Sequence, residues 1–132
     1  MTRINLVPLS ELCNQHLFAE WREMPRLVGQ LNSTLNRAKP FSISDIPPKY
    51  VLGKGHVTFF LDKFKFLHNR HIEITKELII RGYNIRLDSD IFLQVANQWY
   101  NDYTPCRDEI EINKERIRSR MPLKPKWSTS NS

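Results

Sequence analysis

Apolar residues follow helical spacing in three stretches of the chain, and this pattern predicts an all-α fold. The first stretch runs from about residue 10 to residue 36, with one apolar stripe formed by Leu17, Trp21, Met24, Val28, Leu31 and Leu35. We expect Ser10 to cap this helix. Pro25 lies inside the pattern. Because its ring conflicts with the carbonyl of Trp21 and it has no N–H, we expect a kink near residues 22–24.

The second helical stretch runs from about residue 56 to residue 81, after a loop at 38–55 that is rich in proline and glycine. Its apolar stripe consists of Val57, Phe60, Phe64, Leu67, His71, Ile74 and Leu78. Gly82 is expected to stop this helix, because glycine readily adopts the left-handed conformation at a helix end.

The remainder of the chain predicts one further long helix. Residues 83–103 are ambiguous, with Ser89 as a candidate cap for a short helix through Trp99. The third helix is predicted to start at Pro105 and to continue to Met121. The expected fold is therefore a single compact domain over 1–132, with three main helices, long loops and a flexible tail at 128–132.

Charge adds a candidate partner. The chain has 132 residues and a net charge of +6, and its charged side chains after Glu115 are all basic: Arg116, Arg118, Arg120, Lys124 and Lys126. This excess favours a polyanion such as nucleic acid, although a basic protein with a solvated tail has the same composition.

No apolar run approaches the roughly 20 residues of a membrane helix, and no signal peptide is expected. Cys13 and Cys106 form no ligand pattern, so we expect free thiols in a reducing, cytoplasmic environment.

The polar face of the first helix carries candidate binding residues. Opposite the apolar stripe lie Gln15, Ala19, Arg22 and Arg26, with His16 and Glu23 on one flank. Arginine suits phosphate groups, because its guanidinium fork binds two oxygens at once. The alternative is a solvated face on which Glu23 pairs with Arg26, and the helix pattern by itself favours this surface pair.

Other candidate sites have weaker patterns. His68 and His71, with Glu73, lack a third convergent ligand, so we do not expect a metal site. Residues 53–56 contain two glycines without the spacing of a phosphate-binding loop, and we expect them to shape the entry to the second helix. Trp127, in the basic tail, either stacks on a base or packs back on the protein.

The start of the chain offers a nucleophile. If Met1 is removed, as a small second residue favours, Thr2 presents an α-amine. Its pKa is about 7.7–8.0, against about 10.4 for lysine, so a useful fraction is neutral at physiological pH. This amine, the carboxylate of Glu23 and a basic surface would suit covalent chemistry on a DNA sugar.

Residues along the whole chain match one known family. The matching positions are 1–6, 10–12, 15–17, 19–20, 22–23, 25–26, 52–53, 55–60, 62–63 and 66–67, followed by Arg81, Gly82, Asp102, Tyr103, Pro105, Arg116, Pro125 and Trp127. On these residues the sequence resembles the phage-type pyrimidine-dimer DNA glycosylases, the endonuclease V enzymes of ultraviolet repair. It departs from the first-described member in having tryptophan at position 21 and a short polar tail at 128–132.

The resemblance implies a function and a set of roles. It implies a three-helix glycosylase and abasic-site lyase, with no metal or cofactor, that bends damaged duplex DNA and flips a base out of the stack. Thr2 is the implied nucleophile and Glu23 the implied catalytic carboxylate. The implied DNA contacts are Arg3, Gln15, His16, Arg22, Arg26, Arg116 and Arg120, and we add Trp127 as a candidate.

The expected partner is double-stranded DNA that contains pyrimidine dimers or abasic sites, bound by a monomer inside the cell. Two alternatives stay open. The chain could be a non-catalytic basic DNA-binding protein on the same scaffold, or an abasic-site lyase with a different base-lesion preference.

Overall fold

The computed structural model describes residues 4–37, 39 and 41–127, and these residues form helices and loops. The α-helices are α1 (Asn14–Glu23), α2 (Arg26–Leu35), α3 (His56–Phe59), α4 (Phe64–Ile80) and α5 (Arg107–Ser119). Short 3-10 helices lie at Leu9–Glu11, Ile43–Asp45, Asp90–Gln94 and Asn97–Trp99. The described residues contain no strand, so the all-α prediction is confirmed. The predicted flexible tail at 128–132 lies outside the described residues.

The first predicted helix is broken at Pro25, which confirms the predicted kink. Pro25 has no N–H to donate to the carbonyl of Trp21, and this carbonyl accepts a hydrogen bond from His71 Nε2 instead, at 3.1 Å. The other ring nitrogen, Nδ1, then accepts from the Ser89 hydroxyl at 2.6 Å. Burial lowers the pKa of His71, which favours this neutral ring.

The start of the first helix differs from the prediction. Ser10 lies in the 3-10 helix Leu9–Glu11, and α1 begins only at Asn14. Between them Leu12 is extended, with φ −106° and ψ 130°. Its carbonyl accepts a hydrogen bond from the buried guanidinium of Arg81 at 2.7 Å. This long-range contact is what the local sequence pattern around Ser10 could not reveal.

The second predicted helix is interrupted, because α3 and α4 are separated by residues 60–63. Lys63 Nζ donates to the carbonyl of Phe59 at 2.9 Å, which satisfies one of the carbonyls left free at the end of α3. At its other end α4 stops as predicted. Gly82 has a φ of 101°, and the N–H of Tyr83 donates to the carbonyl of Leu78 at 3.0 Å, the bond of a Schellman motif.

The ambiguous stretch 83–103 contains two short 3-10 helices rather than one α-helix through Trp99. Ser89 occupies the N-cap position of the first of them, but its side chain makes no capping bond there. The Ser89 hydroxyl instead forms a hydrogen bond with His71, which connects this loop to α4.

The third helix, α5, is shorter than predicted. It spans Arg107–Ser119, whereas the sequence pattern placed its start at Pro105 and its end at Met121. The N–H of Cys106 donates to the Glu109 carboxylate at 3.1 Å. This capping box, rather than the proline, sets the start of the helix.

The helices pack around an aromatic core, as predicted. The largest fully buried side chains include Phe59, Phe60, Phe64 and Phe92. The kinked α1–α2 pair, α4 and α5 are the three main helical stretches, and α1 packs against α4. Ile4 is fully buried in the same core, which fixes the segment 4–7 inside the protein. Among the described residues, none of the helices is long and apolar enough to cross a membrane.

Candidate active site

An open cleft of about 490 Å³ lies between the segment 4–7, α1 and α5. It is lined by Asn5, His16, Ala19, Glu20, Glu23, Arg116, Ile117 and Arg120. The buried residues Asn5 and Glu20 are called here the floor of the cleft, and the more exposed Glu23, Arg116 and Arg120 its rim. The cleft therefore brings together four of the residues singled out from the sequence: Glu23, His16, Arg116 and Arg120.

Glu23 is the carboxylate of the cleft that has no partner among the described residues. It is the last residue of α1 and is half-buried. It makes no hydrogen bond or ion pair with any residue that the structure describes, so the surface pair with Arg26 is not formed. The break at Pro25 explains this, because Glu23 and Arg26 belong to two separate helices and lose the spacing of one continuous helix.

Glu20, three residues earlier in α1, is in contrast buried and hydrogen-bonded. It is 1% exposed, and its Oε2 accepts from Arg70 Nε at 2.5 Å. Its Oε1 accepts from Asn5 Nδ2 at 2.8 Å and from Arg70 at 3.2 Å. A buried carboxylate with this many donors is a structural group, because its charge is already balanced.

The segment that leads to the N-terminus is held firmly beside the cleft. Thr2 and Arg3 lie outside the described residues, so the nucleophile and the first predicted DNA contact have no structural account. Ile4, the next residue, donates its N–H to His56 Nε2 at 2.9 Å and accepts at its carbonyl from the Tyr50 hydroxyl at 3.3 Å. The backbone of Ile4, the first described residue, is therefore fixed next to Asn5 of the floor.

α5 supplies the basic wall of the cleft. The guanidinium groups of Arg116 and Arg120 line it and make no ion pair or hydrogen bond within the described part of the chain. Arg118, on another side of the same helix, is paired with Glu115 at 2.6 Å. Free guanidiniums that face a cleft suit phosphate oxygens, whereas a paired one is already occupied.

Gln15 and His16 hold the C-terminal segment against the start of α1. Gln15 Nε2 donates to the carbonyl of Lys124 at 2.8 Å, and its Oε1 accepts from the N–H of Lys126 at 2.9 Å. His16 Nε2 lies 3.0 Å from the carbonyl of Arg120, and its Nδ1 has no partner in the described structure. Their DNA contacts stay predictions, and the structure adds this second role.

The remaining predicted contacts lie outside the lining of the cleft. Arg22 and Arg26 are exposed, and the Arg22 guanidinium sits 5.8 Å from the centre of the Phe18 ring. Trp127 is 48% exposed and directly follows the segment that Gln15 holds. All three are accessible to a large ligand, so their DNA contacts stay predictions.

The other candidate motifs have structural explanations. His68 Nδ1 lies 2.8 Å from the Tyr100 hydroxyl, and His71 is used by Ser89 and Trp21, as described above. No group of potential metal ligands is found among the described residues. Gly55, with a φ of 93°, is the N-cap of α3, so the glycines do shape the entry to the helix.

Sequence reasoning did not find several residues of the site. Asn5 and Ile117 line the cleft, and Glu20 forms its floor. For Glu20 a signal was present, because a carboxylate on the apolar side of α1 implies a buried partner, here Arg70 on α4. Asn113, which supports the floor from α5, carries no local signal.

The groups that line the cleft indicate a class of protein. The cleft combines a carboxylate that is unpaired among the described residues, basic side chains and a firmly held segment at residues 4–7, which suits an enzyme that acts on a polyanion. Residues 1–90 match the family model of the pyrimidine dimer DNA glycosylases. The chain therefore belongs to the pyrimidine dimer DNA glycosylase family, and the resemblance seen in the sequence is confirmed. The match includes Thr2 and Glu23, whereas α5 and Trp127 lie beyond it.

Proposed function

We propose that this chain excises pyrimidine dimers from duplex DNA and then nicks the resulting abasic site through a Schiff base on the α-amine of Thr2. The observation that carries the proposal is a basic cleft that holds Glu23, a carboxylate with no partner among the described residues, beside Asn5 of the chain segment that begins at the fixed residue Ile4. The glycosylase class follows from the family, and the lyase step is the part that is proposed.

The reaction begins with the amine of Thr2. Its lone pair attacks C1′ of the damaged nucleotide, the bond between C1′ and the pyrimidine breaks, and the base leaves with the bonding electrons. The sugar ring then opens, its O4′ takes a proton, and an imine joins C1′ to the protein. Glu23 stabilises the positive charge that develops on the sugar.

The second step breaks the strand. Glu23 removes the proton at C2′. The electrons of that C–H bond form a double bond between C2′ and C3′, and the phosphate on C3′ leaves with the electrons of the C3′–O bond. Water then hydrolyses the imine and releases the free amine of Thr2.

The nucleophile is assigned to Thr2 on three grounds. None of the described residues that line the cleft is a lysine, and an α-amine is far less protonated than lysine at neutral pH. The chain between Ile4 and the Thr2 amine is also short, because two residues span at most about 7 Å. Ile4 itself is fixed by hydrogen bonds to His56 and Tyr50.

DNA binding is assigned to the basic wall. Arg116 and Arg120 would contact phosphates, which makes the affinity steeply salt-dependent. Extruding a nucleotide costs a few kcal/mol, and least where the base is damaged and badly stacked. We further propose that the protein acts as a monomer on intracellular DNA.

Borohydride trapping tests the proposal. Protein beginning at Thr2 should be captured on duplexes with a dimer or an abasic site, but not on undamaged duplex. Protein with one residue added before Thr2 is the control and should not be captured. Absence of trapping with salt-sensitive binding would indicate the non-catalytic DNA-binding alternative. Trapping on abasic but not dimer duplex would indicate a lyase for another base lesion.

A further inference from the structure

The amide of Asn113 on α5 is buried against the N-terminal segment. Asn113 is 1% exposed. Its Oδ1 accepts hydrogen bonds from the backbone N–H groups of Leu6, at 2.6 Å, and Val7, at 3.3 Å. One side chain from the far end of the sequence therefore holds two consecutive peptide groups beside the cleft.

The other end of the same amide reaches the floor. Asn113 Nδ2 donates to Asn5 Oδ1 at 2.8 Å, and Asn5 Nδ2 donates to Glu20 Oε1 at 2.8 Å. Each amide thus has one orientation, because the carboxylate at the end of the series can only accept. The series Asn113–Asn5–Glu20 links α5, the N-terminal segment and α1.

Further backbone groups at the two ends of the segment are held as well. Ile4 donates its N–H to His56, and the carbonyl of Val7 accepts from Arg70 at 3.1 Å. A segment whose peptide groups are bonded in this way has little freedom to shift along or away from α1. Its position relative to Glu23, on the next turn of α1 after Glu20, is then set by these contacts.

We propose that Asn113 is a positioning residue for the reaction, which fixes the N-terminal segment so that the Thr2 amine meets the sugar beside Glu23. Asn113 does not line the cleft and lies beyond the family match over residues 1–90. The C-terminal third of the chain thereby contributes to catalysis through the backbone of Leu6 and Val7. This inference rests on the proposed function of Thr2.

The test compares Asn113→Ala and Asn113→Asp with a matched control, Ser89→Ala. Alanine removes every bond of the amide, whereas aspartate can still accept from Leu6 and Val7 but cannot donate to Asn5. Ser89→Ala removes one buried hydrogen bond, to His71, and Ser89 is not among the cleft residues. Each protein begins at Thr2 and is compared for single-turnover borohydride trapping on an abasic duplex, for binding to a reduced abasic duplex, and for its thermal midpoint.

We expect both Asn113 variants to trap about 10- to 100-fold more slowly at saturating DNA, because small misplacements of reacting groups cost this much. Binding of the reduced abasic duplex should stay within about threefold, since the contacts of Arg116 and Arg120 are retained. Ser89→Ala should lower the thermal midpoint without slowing trapping.

Two outcomes would overturn the inference. One is an unchanged trapping rate in both Asn113 variants; the other is an equal slowing in Ser89→Ala, which would show general destabilisation. Failure of the proposed function gives a different result, because the unaltered protein beginning at Thr2 would then fail to trap.

Discussion

The carboxylate on the floor of the cleft is paired, whereas the carboxylate on its rim is unpaired among the described residues. On the floor, Glu20 is buried and bonded to Arg70 and Asn5. On the rim, Glu23 lies three residues further along α1 and makes no bond to any described residue. The difference separates structure from chemistry. A carboxylate whose charge is balanced holds the fold together, whereas the one left free can act on a substrate.

The largest expected effect is the loss of strand cleavage when the rim carboxylate Glu23 is changed. Glu23→Gln should lower strand cleavage on an abasic duplex by about 1000-fold, because an amide can neither remove the C2′ proton nor balance a positive sugar. Gel assays of cleavage and of DNA binding, run in parallel, check this. Binding should be largely kept, and a variant that cleaves at the normal rate would remove Glu23 from the mechanism.

The same substitution at the floor carboxylate Glu20 should lower the stability of the protein rather than its activity. Glu20→Gln breaks a buried ion pair and should lower the free energy of unfolding by about 3 kcal/mol. Urea unfolding measures this, with Glu23→Gln as the control that should change it by less than about 0.5 kcal/mol. If the two variants lose equal stability, the distinction between floor and rim fails.

The arginines of the rim should affect binding without regard to the lesion. Arg116→Ala and Arg120→Ala should each reduce the slope of log Kd against log salt by about 1, because each removes one phosphate contact. Arg118→Ala on the same helix is the control, since its guanidinium is paired with Glu115 and does not line the cleft. A salt slope that falls equally for Arg118→Ala would contradict the assignment of the basic wall.

The smallest expected effect is the contribution of Glu109, at the start of α5, to the stability of the protein at acid pH. Burial acts to raise the pKa of Glu109, but hydrogen bonds from the Tyr103 hydroxyl and from the N–H groups of Tyr50 and Cys106 outweigh it, so the pKa is lowered. A lowered pKa contributes stability that is present above the unfolded-state pKa and is lost as the pH falls through the folded-state pKa.

The protein should therefore lose stability as the pH falls from about 5 to about 3, and Glu109→Gln should flatten this loss. Urea midpoints across that range measure it. Glu111→Gln, an exposed carboxylate of the same helix, is the control and should leave the curve unchanged. The same acid loss in Glu109→Gln would show that Glu109 is not responsible.

The sequence pattern predicted the features that depend on local chemistry. The all-α class follows from apolar spacing within each helical stretch, and the break at Pro25 and the stop at Gly82 each follow from backbone geometry at one residue. Element boundaries at Ser10 and Pro105 were wrong, because Arg81 and Glu109 bind the backbone there from elsewhere in the chain or the next turn. The contact of Arg81 leaves no trace in local spacing, whereas the contact of Glu109 is a capping box between residues three apart, with a cysteine where serine or threonine is usual.

The candidate site was predictable only in part. The helix pattern placed Glu23 on a polar flank but favoured its pairing with Arg26, and only the break between α1 and α2 removed that pair. The roles of Asn5 and Asn113 depend on their 2.8 Å contact across 108 positions of sequence, which no local pattern encodes.

The most direct test of the central claim is to locate the covalent bond to DNA. Protein beginning at Thr2 is trapped with borohydride on an abasic duplex, digested, and analysed by mass spectrometry for the peptide that carries the sugar. We predict the sugar on the α-amine of Thr2. Attachment to a lysine side chain such as Lys124 or Lys126, with an unmodified Thr2, would contradict it.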